Sequence, residues 1–191
     1  MSACRLCHEA GHEILSGPIF SFHPGAQWMT VGQAPGKHEA DVTLAPFSGP
    51  AGRRLFRWLA QAGCTEEEFR ATQAMTAITL CYPGPHPSGR GDRVPSRAEQ
   101  ALCAPWLEKL LQAAAPRVLI PIGGLAIERF LGRGVTLADC VGQRFERDGR
   151  IIVPLPHPSG ASTWFNQVDN RARLERALGQ LAELRPPSWR H

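Results

Sequence analysis

Short apolar runs alternate along this chain with longer stretches of helical period. Residues 27–31 (QWMTV), 74–80 (AMTAITL), 117–122 (RVLIPI) and 151–155 (IIVPL) have the length and apolar density of buried strands. Between them lie amphipathic segments. Residues 50–62 predict a helix: Pro50 suits a first turn, Leu55, Trp58, Leu59 and Ala62 make an apolar stripe, and Gly63 stops it. Ser96 and Glu99 have capping-box spacing, ahead of a stripe of Leu102, Trp106, Leu107, Leu110 and Leu111. A short helix is expected over Ala126–Leu131. A last one spans 168–184, with Leu174, Ala177, Leu178, Leu181 and Leu184 on one face. Residues 185–191 read as a tail that frays or drapes over the surface. Alternating strands and helices predict one α/β domain over residues 1–191, a central, mostly parallel four-stranded sheet flanked by helices on both faces.

This reading locates the chemistry. The segments Gly32–Gly36, Cys81–Gly84, Gly123-Gly124 and Pro156–Ser162 each follow a strand. In a parallel sheet such loops converge at the carboxyl edge, where these folds place their ligands. Motifs far apart in sequence therefore meet in one site.

Composition sharpens this only in places. With 43% apolar residues in a chain of 191, one full core is available. No run of 18 apolar residues exists, so no membrane-spanning helix and no membrane partner is expected. The first residues, MSACRLCHEAGHE, lack the apolar stretch of a secretory signal, so a cytoplasmic, reducing compartment is the expectation. Six cysteines there point to metal binding or chemistry before disulfides. The net charge of +4 permits an anionic partner without demanding one. Only Lys37 and Lys109 are lysines; the arginine excess fits either a GC-rich genome or phosphate contact by guanidinium forks.

Four constellations stand out. The tight loop Gly32-Gln33-Ala34-Pro35-Gly36 lets backbone approach a ligand closely, or is simply a strand-to-loop turn. Phe47, among the small residues of Pro46–Gly52, offers a flat face to a base, or anchors its loop in the core. His157 is held between Pro156 and Pro158, with Ser159 and Ser162 close by; alone it would pass for a surface histidine. Cys4-x-x-Cys7 is a metal-ligand pair, and Cys81 and Cys103 flank the Pro/Gly loop; four thiolates suit a [4Fe–4S] cluster or a tetrahedral zinc. Cys64 and Cys140 fall outside this set and read as buried thiols.

Taken in order, these residues resemble the uracil-DNA glycosylase superfamily, nearest to its iron-sulfur family-four group. The resemblance rests on CRLC at Cys4–Cys7, GQAPG at Gly32–Gly36, PFSGPAG at Pro46–Gly52, LCYPG at Leu80–Gly84 and GDRVPS at Gly91–Ser96. It continues through Cys103, PRVLIPIG at Pro116–Gly123 and PHPSGAS at Pro156–Ser162, so it covers nearly the whole chain. It implies a monomeric, monofunctional DNA N-glycosylase of base-excision repair, a hydrolase that flips uracil or another deaminated base out of damaged DNA into a pocket and hydrolyses its N-glycosidic bond. Phe47 would stack on that base, beside Gly32, Ala34 and Ala77. Gln33 would orient water near the sugar C1′, and His157 would donate a hydrogen bond to the departing base. Arg53, Arg90, Arg93, Ser159, Gly160 and Ser162 would contact DNA phosphates. Cys4, Cys7, Cys81 and Cys103 would hold a structural [4Fe–4S] cluster.

The chain departs from the group at several positions. Gln33 stands in place of glutamate, Ala34 in place of the water-activating aspartate of other members, Ala77 in place of a uracil-reading asparagine, and Asp92 in place of another asparagine. The loop from Cys81 to Cys103 is longer than in family four. A divergent subgroup with an unidentified base follows. A covalent variant of the superfamily uses a loop histidine; His86 lies in the corresponding loop, but in the unlike surroundings PGPHPSGRGD. The alternatives are a damage-binding protein on the same fold and a zinc-stabilised nucleotide-binding protein.

Overall fold

A computed structural model describes residues 3–89, 91–159 and 163–189, without the side chains of Thr163, Asn166 and Ser188. Strands β1 (Trp28–Gly32), β2 (Ala74–Ala77), β3 (Val118–Pro121), β4 (Phe145–Arg147) and β5 (Arg150–Ile152) form one sheet in the order β2-β1-β3-β5-β4. β1 pairs in parallel with β2 and β3, and β3 with β5. β1, β2 and β3 are buried at every position, which is why they read as continuous apolar runs and not as alternating ones.

The structure adds to the expected sheet. The fifth strand, β4, pairs antiparallel to β5 at an edge, through a turn in which Asp148 and Gly149 take positive φ. Its residues are half-buried or exposed, so it carries no apolar signature. β2 ends at Ala77, three residues before the apolar run does. Beyond it, Ile78 and Thr79 still donate backbone hydrogen bonds to Gly32 and Gln33, tying the second strand's exit to the loop after the first. β5 likewise stops at Ile152, although Leu155 returns to bridge Ile122.

Helices α2 (Pro50–Gln61), α4 (Arg97–Ala114), α5 (Gly124–Leu131) and α7 (Val168–Glu183) lie where periodicity puts them. The Ser96–Glu99 capping box closes in both directions. Short helices α1 (Leu6–Glu9), α3 (Glu66–Thr72) and α6 (Leu137–Cys140) complete the set. α5 packs on β1 and β3, α4 on β2, and α2 against α7 and α3. Among the described residues, no helix is long and apolar enough to cross a membrane. Trp28 anchors the core: its backbone N–H meets Gln73 Oε1 at 2.7 Å, its indole N–H reaches the Leu184 carbonyl, and Phe69 and Trp189 meet its ring edge-on. The expected tail is thus corrected: within 185–191, Trp189 is buried in the core against Trp28 and Phe69, and neither frays nor drapes over the surface.

Candidate functional site

The loops at the carboxyl edge are held by one buried carboxylate. Glu39 lies on a single π-helical turn, Glu39–Thr43. Its Oε1 accepts from the backbone N–H groups of Ser48 and Gly49 at 3.1 and 2.9 Å, and its Oε2 from Gly36 at 3.2 Å. The GQAPG loop and the PFSGPAG loop are therefore one body. Arg70 of α3 secures the second loop from the other side, donating to the carbonyls of Pro46 and Phe47 while its guanidinium lies over the Phe56 ring.

Between these loops Phe47 takes a left-handed backbone conformation (φ +52°) and lays its ring against Gly32. A Cβ at Gly32 would lie 2.9 Å from the ring, and one at Gly52 only 1.7 Å from the Phe47 carbonyl oxygen. Both glycines are required by close approach. Phe47 is also packed against the core, so it anchors its loop and presents a face at once.

A cavity of about 250 Å³ opens in front of that ring. Gly32, Gln33, Ala34, Phe47, Ala77 and His157 all line it, as do Thr76 and Asp92. It gives onto a wider cleft of about 1150 Å³ along the first turns of α2, bordered by Arg53, Arg54 and Arg57. Gln33, Ala34, Asp92 and His157 border both spaces.

His157 stands against Gly123, after the β5 exit. The Ser159 backbone N–H donates to its Nδ1 at 3.2 Å, so in this arrangement the ring proton is on Nε2. One side of the residue is open to solvent, yet the protein around the ring pushes its pKa below the ordinary histidine value; the Asp92 carboxylate pulls the other way. With Nδ1 accepting from Ser159, the ring has its Nε2–H to give. Gln33 is half-buried, and its amide makes no hydrogen bond with protein among the described residues.

The predicted phosphate contacts separate. Arg53 is exposed on the cleft. Arg54, which the sequence reading passed over, donates to the Ser159 carbonyl at 3.0 Å and so fixes the histidine loop on α2. Arg57 shares the face of Arg53, one turn along; the i, i+4 spacing was the unread signal. Arg93 borders the cleft, but its guanidinium is committed: it forks onto Glu99 at 2.7 and 2.5 Å and reaches the Glu13 carbonyl. Burial of Glu99 makes that a scaffold pair, and the fork holds the carboxyl pKa down at about 2. Arg90, Gly160 and Ser162 lie outside the described residues. His86 is on an exposed turn, with Ser88 held to its Nδ1, away from both spaces.

The other site is built from thiols. Residues Leu15 and Ile19 donate backbone hydrogen bonds to Tyr82 and Leu80, which lays the N-terminal segment along the chain after β2. α1 packs on α4. As a result Cys4, Cys7, Cys81 and Cys103 line one small cavity of about 30 Å³. Leu80 N–H points at Cys103 Sγ, 3.3 Å away. Burial pushes the thiols of Cys81 and Cys103 up to about 12 and about 11, with the neighbouring sulfurs adding to it. Among the described residues no three His, Cys, Asp or Glu side chains close tightly enough around one point for a single metal ion. Four thiols lining one cavity are the donor type that a thiolate-ligated metal group takes. Cys64 and Cys140 are buried elsewhere.

The fold agrees with the family that the sequence matches. Residues 20–182 match the family model of the uracil DNA glycosylase superfamily, and the chain belongs to that superfamily. It is similar to a Type-4 uracil-DNA glycosylase of Thermotoga maritima, 29% identical over 131 residues, covering 68% of this chain and 62% of the relative. One of the same name from Archaeoglobus fulgidus is 33% identical over 103 residues, or 54% of this chain and 46% of the relative. A Type-5 uracil-DNA glycosylase of Pyrobaculum aerophilum is 28% identical over 147 residues, with coverage of 70% and 62%. These matches span less than two thirds of each relative's length.

Proposed function

We propose that this protein is a DNA glycosylase that hydrolyses the N-glycosidic bond of uracil or another deaminated base. One observation carries the reading: a base-sized cavity, walled by the Phe47 ring and the Gly32–Gly36 loop, opens directly onto an arginine-bordered cleft. A flipped nucleotide needs both, a dry slot for the base and a basic track for the backbone.

In this mechanism the base stacks on Phe47 and its C1′ rests where the two spaces meet. As the C1′–N bond lengthens, charge accumulates on the base. The His157 Nε2–H donates to it; a donor already in place costs no reorganisation at that moment. Gln33 orients water through its amide. Arg53 and Ser159 contact phosphates beside the slot. Ala77 leaves the floor without a side-chain amide, so base identity rests on size and backbone polarity and a base other than uracil fits the reading. Cys4, Cys7, Cys81 and Cys103 would hold a [4Fe–4S] cluster, whose contribution is to pin the N-terminal segment to the chain after β2 and to α4.

A second reading, a damage-binding protein with little hydrolysis, is favoured by the uncharged Gln33 and Ala34 and by Glu39, whose oxygens are spent on backbone amides. Labelled oligonucleotides carrying uracil, hypoxanthine, xanthine or thymine opposite each base, treated with protein and then alkali, decide between them. Strand cleavage at one of these bases is the expected outcome. Tight binding with no abasic product at any of them selects the second reading.

A further inference from the structure

The long loop after Cys81 folds back on itself. Pro85 pairs with Asp92, His86 N–H reaches the Gly91 carbonyl and Arg93 N–H reaches that of Gly84. This return brings Asp92 to the carboxyl edge, beside the GQAPG loop. A Cβ placed on Gly36 would lie 3.0 Å from Asp92 Oδ2. The other oxygen, Oδ1, accepts from the hydroxyl of buried Tyr82 at 2.9 Å.

The position relative to the two spaces matters most. Seven described residues border both the base-sized cavity and the cleft: Gln33, Ala34, Pro35, Pro50, Ala51, Asp92 and His157. With a base in the cavity and its phosphates in the cleft, the sugar must occupy that shared boundary. Asp92 supplies the one carboxylate there. Glu39 also lines the cavity, but its oxygens hold the loop amides together.

We propose that Asp92 is the catalytic carboxylate of this site, taking a proton from the water that attacks C1′. The assignment rests on the glycosylase reading. The water oxygen forms a bond to C1′ as the C1′–N bond breaks. The bonding pair leaves with the base, against the His157 Nε2–H. The water proton passes to Asp92, which later returns it through solvent to the base anion. Before that transfer the carboxylate also faces the positive charge growing on the sugar. Tyr82 holds one oxygen fixed, and the other remains for water. The deficit at Gln33 and Ala34 is thus made up from a different loop.

Single-turnover excision on the best base of the panel, run beside binding to an uncleavable analogue, tests this. Asp92→Asn keeps shape and can still accept from Tyr82, so the fold is preserved. A general base is worth about 10²–10⁴ in rate, and a loss in that range is expected. Binding should stay equal or tighten, since a negative charge near the phosphates is gone. Asp92→Glu should recover part of the rate, and His86→Ala on the exposed turn should keep all of it. Excision by Asp92→Asn at the parental rate, or lost in step with binding, overturns the assignment while leaving the glycosylase reading intact. A covalent protein–DNA adduct that disappears in Asp92→Asn overturns it in favour of direct attack on C1′. If the unaltered protein releases none of the four bases, the glycosylase reading fails, and this assignment with it.

Discussion

The base-sized cavity and the cysteine cavity lie on the same fold and are stabilised in opposite ways. Around the first, irregular loops are held by protein alone: Glu39 accepts three backbone N–H groups, Arg70 caps two carbonyls, and Arg54 ties the histidine loop to α2. Around the second, the donors are thiols, and Cys81 and Cys103 are pushed far up as free acids. One protein hydrogen bond reaches a sulfur there among the described residues, from Leu80 to Cys103. The Arg93–Glu99 fork braces that side electrostatically. The first region is preorganised by its own chain. With the proposed cluster in place, the second would gain its full order from the bound group, because thiolate ligation couples metal affinity to folding.

That contrast can be broken in three ways, in falling order of effect. Changing Cys81 or Cys103 to alanine should abolish bound iron and brown colour and cost about 4 kcal/mol or more, the range of lost metal sites. Iron content and urea unfolding report both. Full iron in either variant, or iron lost only from Cys64→Ala or Cys140→Ala, would show that the cluster is held elsewhere. Next, His157→Ala should slow excision by about 10²–10³, as for one lost preorganised donor, with oligonucleotide binding retained. Gln33→Ala should cost less; the reverse ranking would mean that orienting water limits the rate. Smallest is Glu39→Ala, which leaves the N–H groups of Gly36, Ser48 and Gly49 without their acceptor. A loss of about 1–3 kcal/mol is expected. It should appear as a lower urea midpoint at constant slope, with iron content unchanged. A bleached Glu39→Ala protein would mean that the two regions are not independent.

The parts legible in the sequence were those with a short-range signature. The buried strands announced themselves as apolar runs, and α4 as a stripe behind a capping box. α3 had the same signal in Thr65 and Glu68, whose reciprocal hydrogen bonds form in the structure, yet it was passed over because only Phe69 of its residues is buried. β4 offered no alternation. The π-helical turn at Glu39–Thr43 follows no period that a helix or strand template detects. The quartet of cysteines was drawn from the family resemblance, and the structure brings all four to one cavity. Glu39 was passed over, and Asp92 was noted only as a departure from the family motif, for one reason: what each does depends on partners brought in by tertiary folding. Glu39 reaches across to Ser48 and Gly49, and Asp92 reaches Gly36 only through the fold-back of its loop. Arg93 shows the converse, a cationic side chain with phosphate-contact chemistry that the fold spends on Glu99.

The close seat of Phe47 over Gly52 has a consequence for anyone wishing to retarget this pocket. A side chain at position 52 would drive its first carbon into the Phe47 carbonyl, and one at position 32 would press into the ring. The Phe47 wall is therefore a fixed part, written in backbone and closed to tuning by substitution beneath it. Ala77 is the permissive position: it is small, sits at the end of β2 and lines the same space. Libraries aimed at new base preference should spend their diversity at Ala77 and Thr76 and leave the aromatic loop untouched.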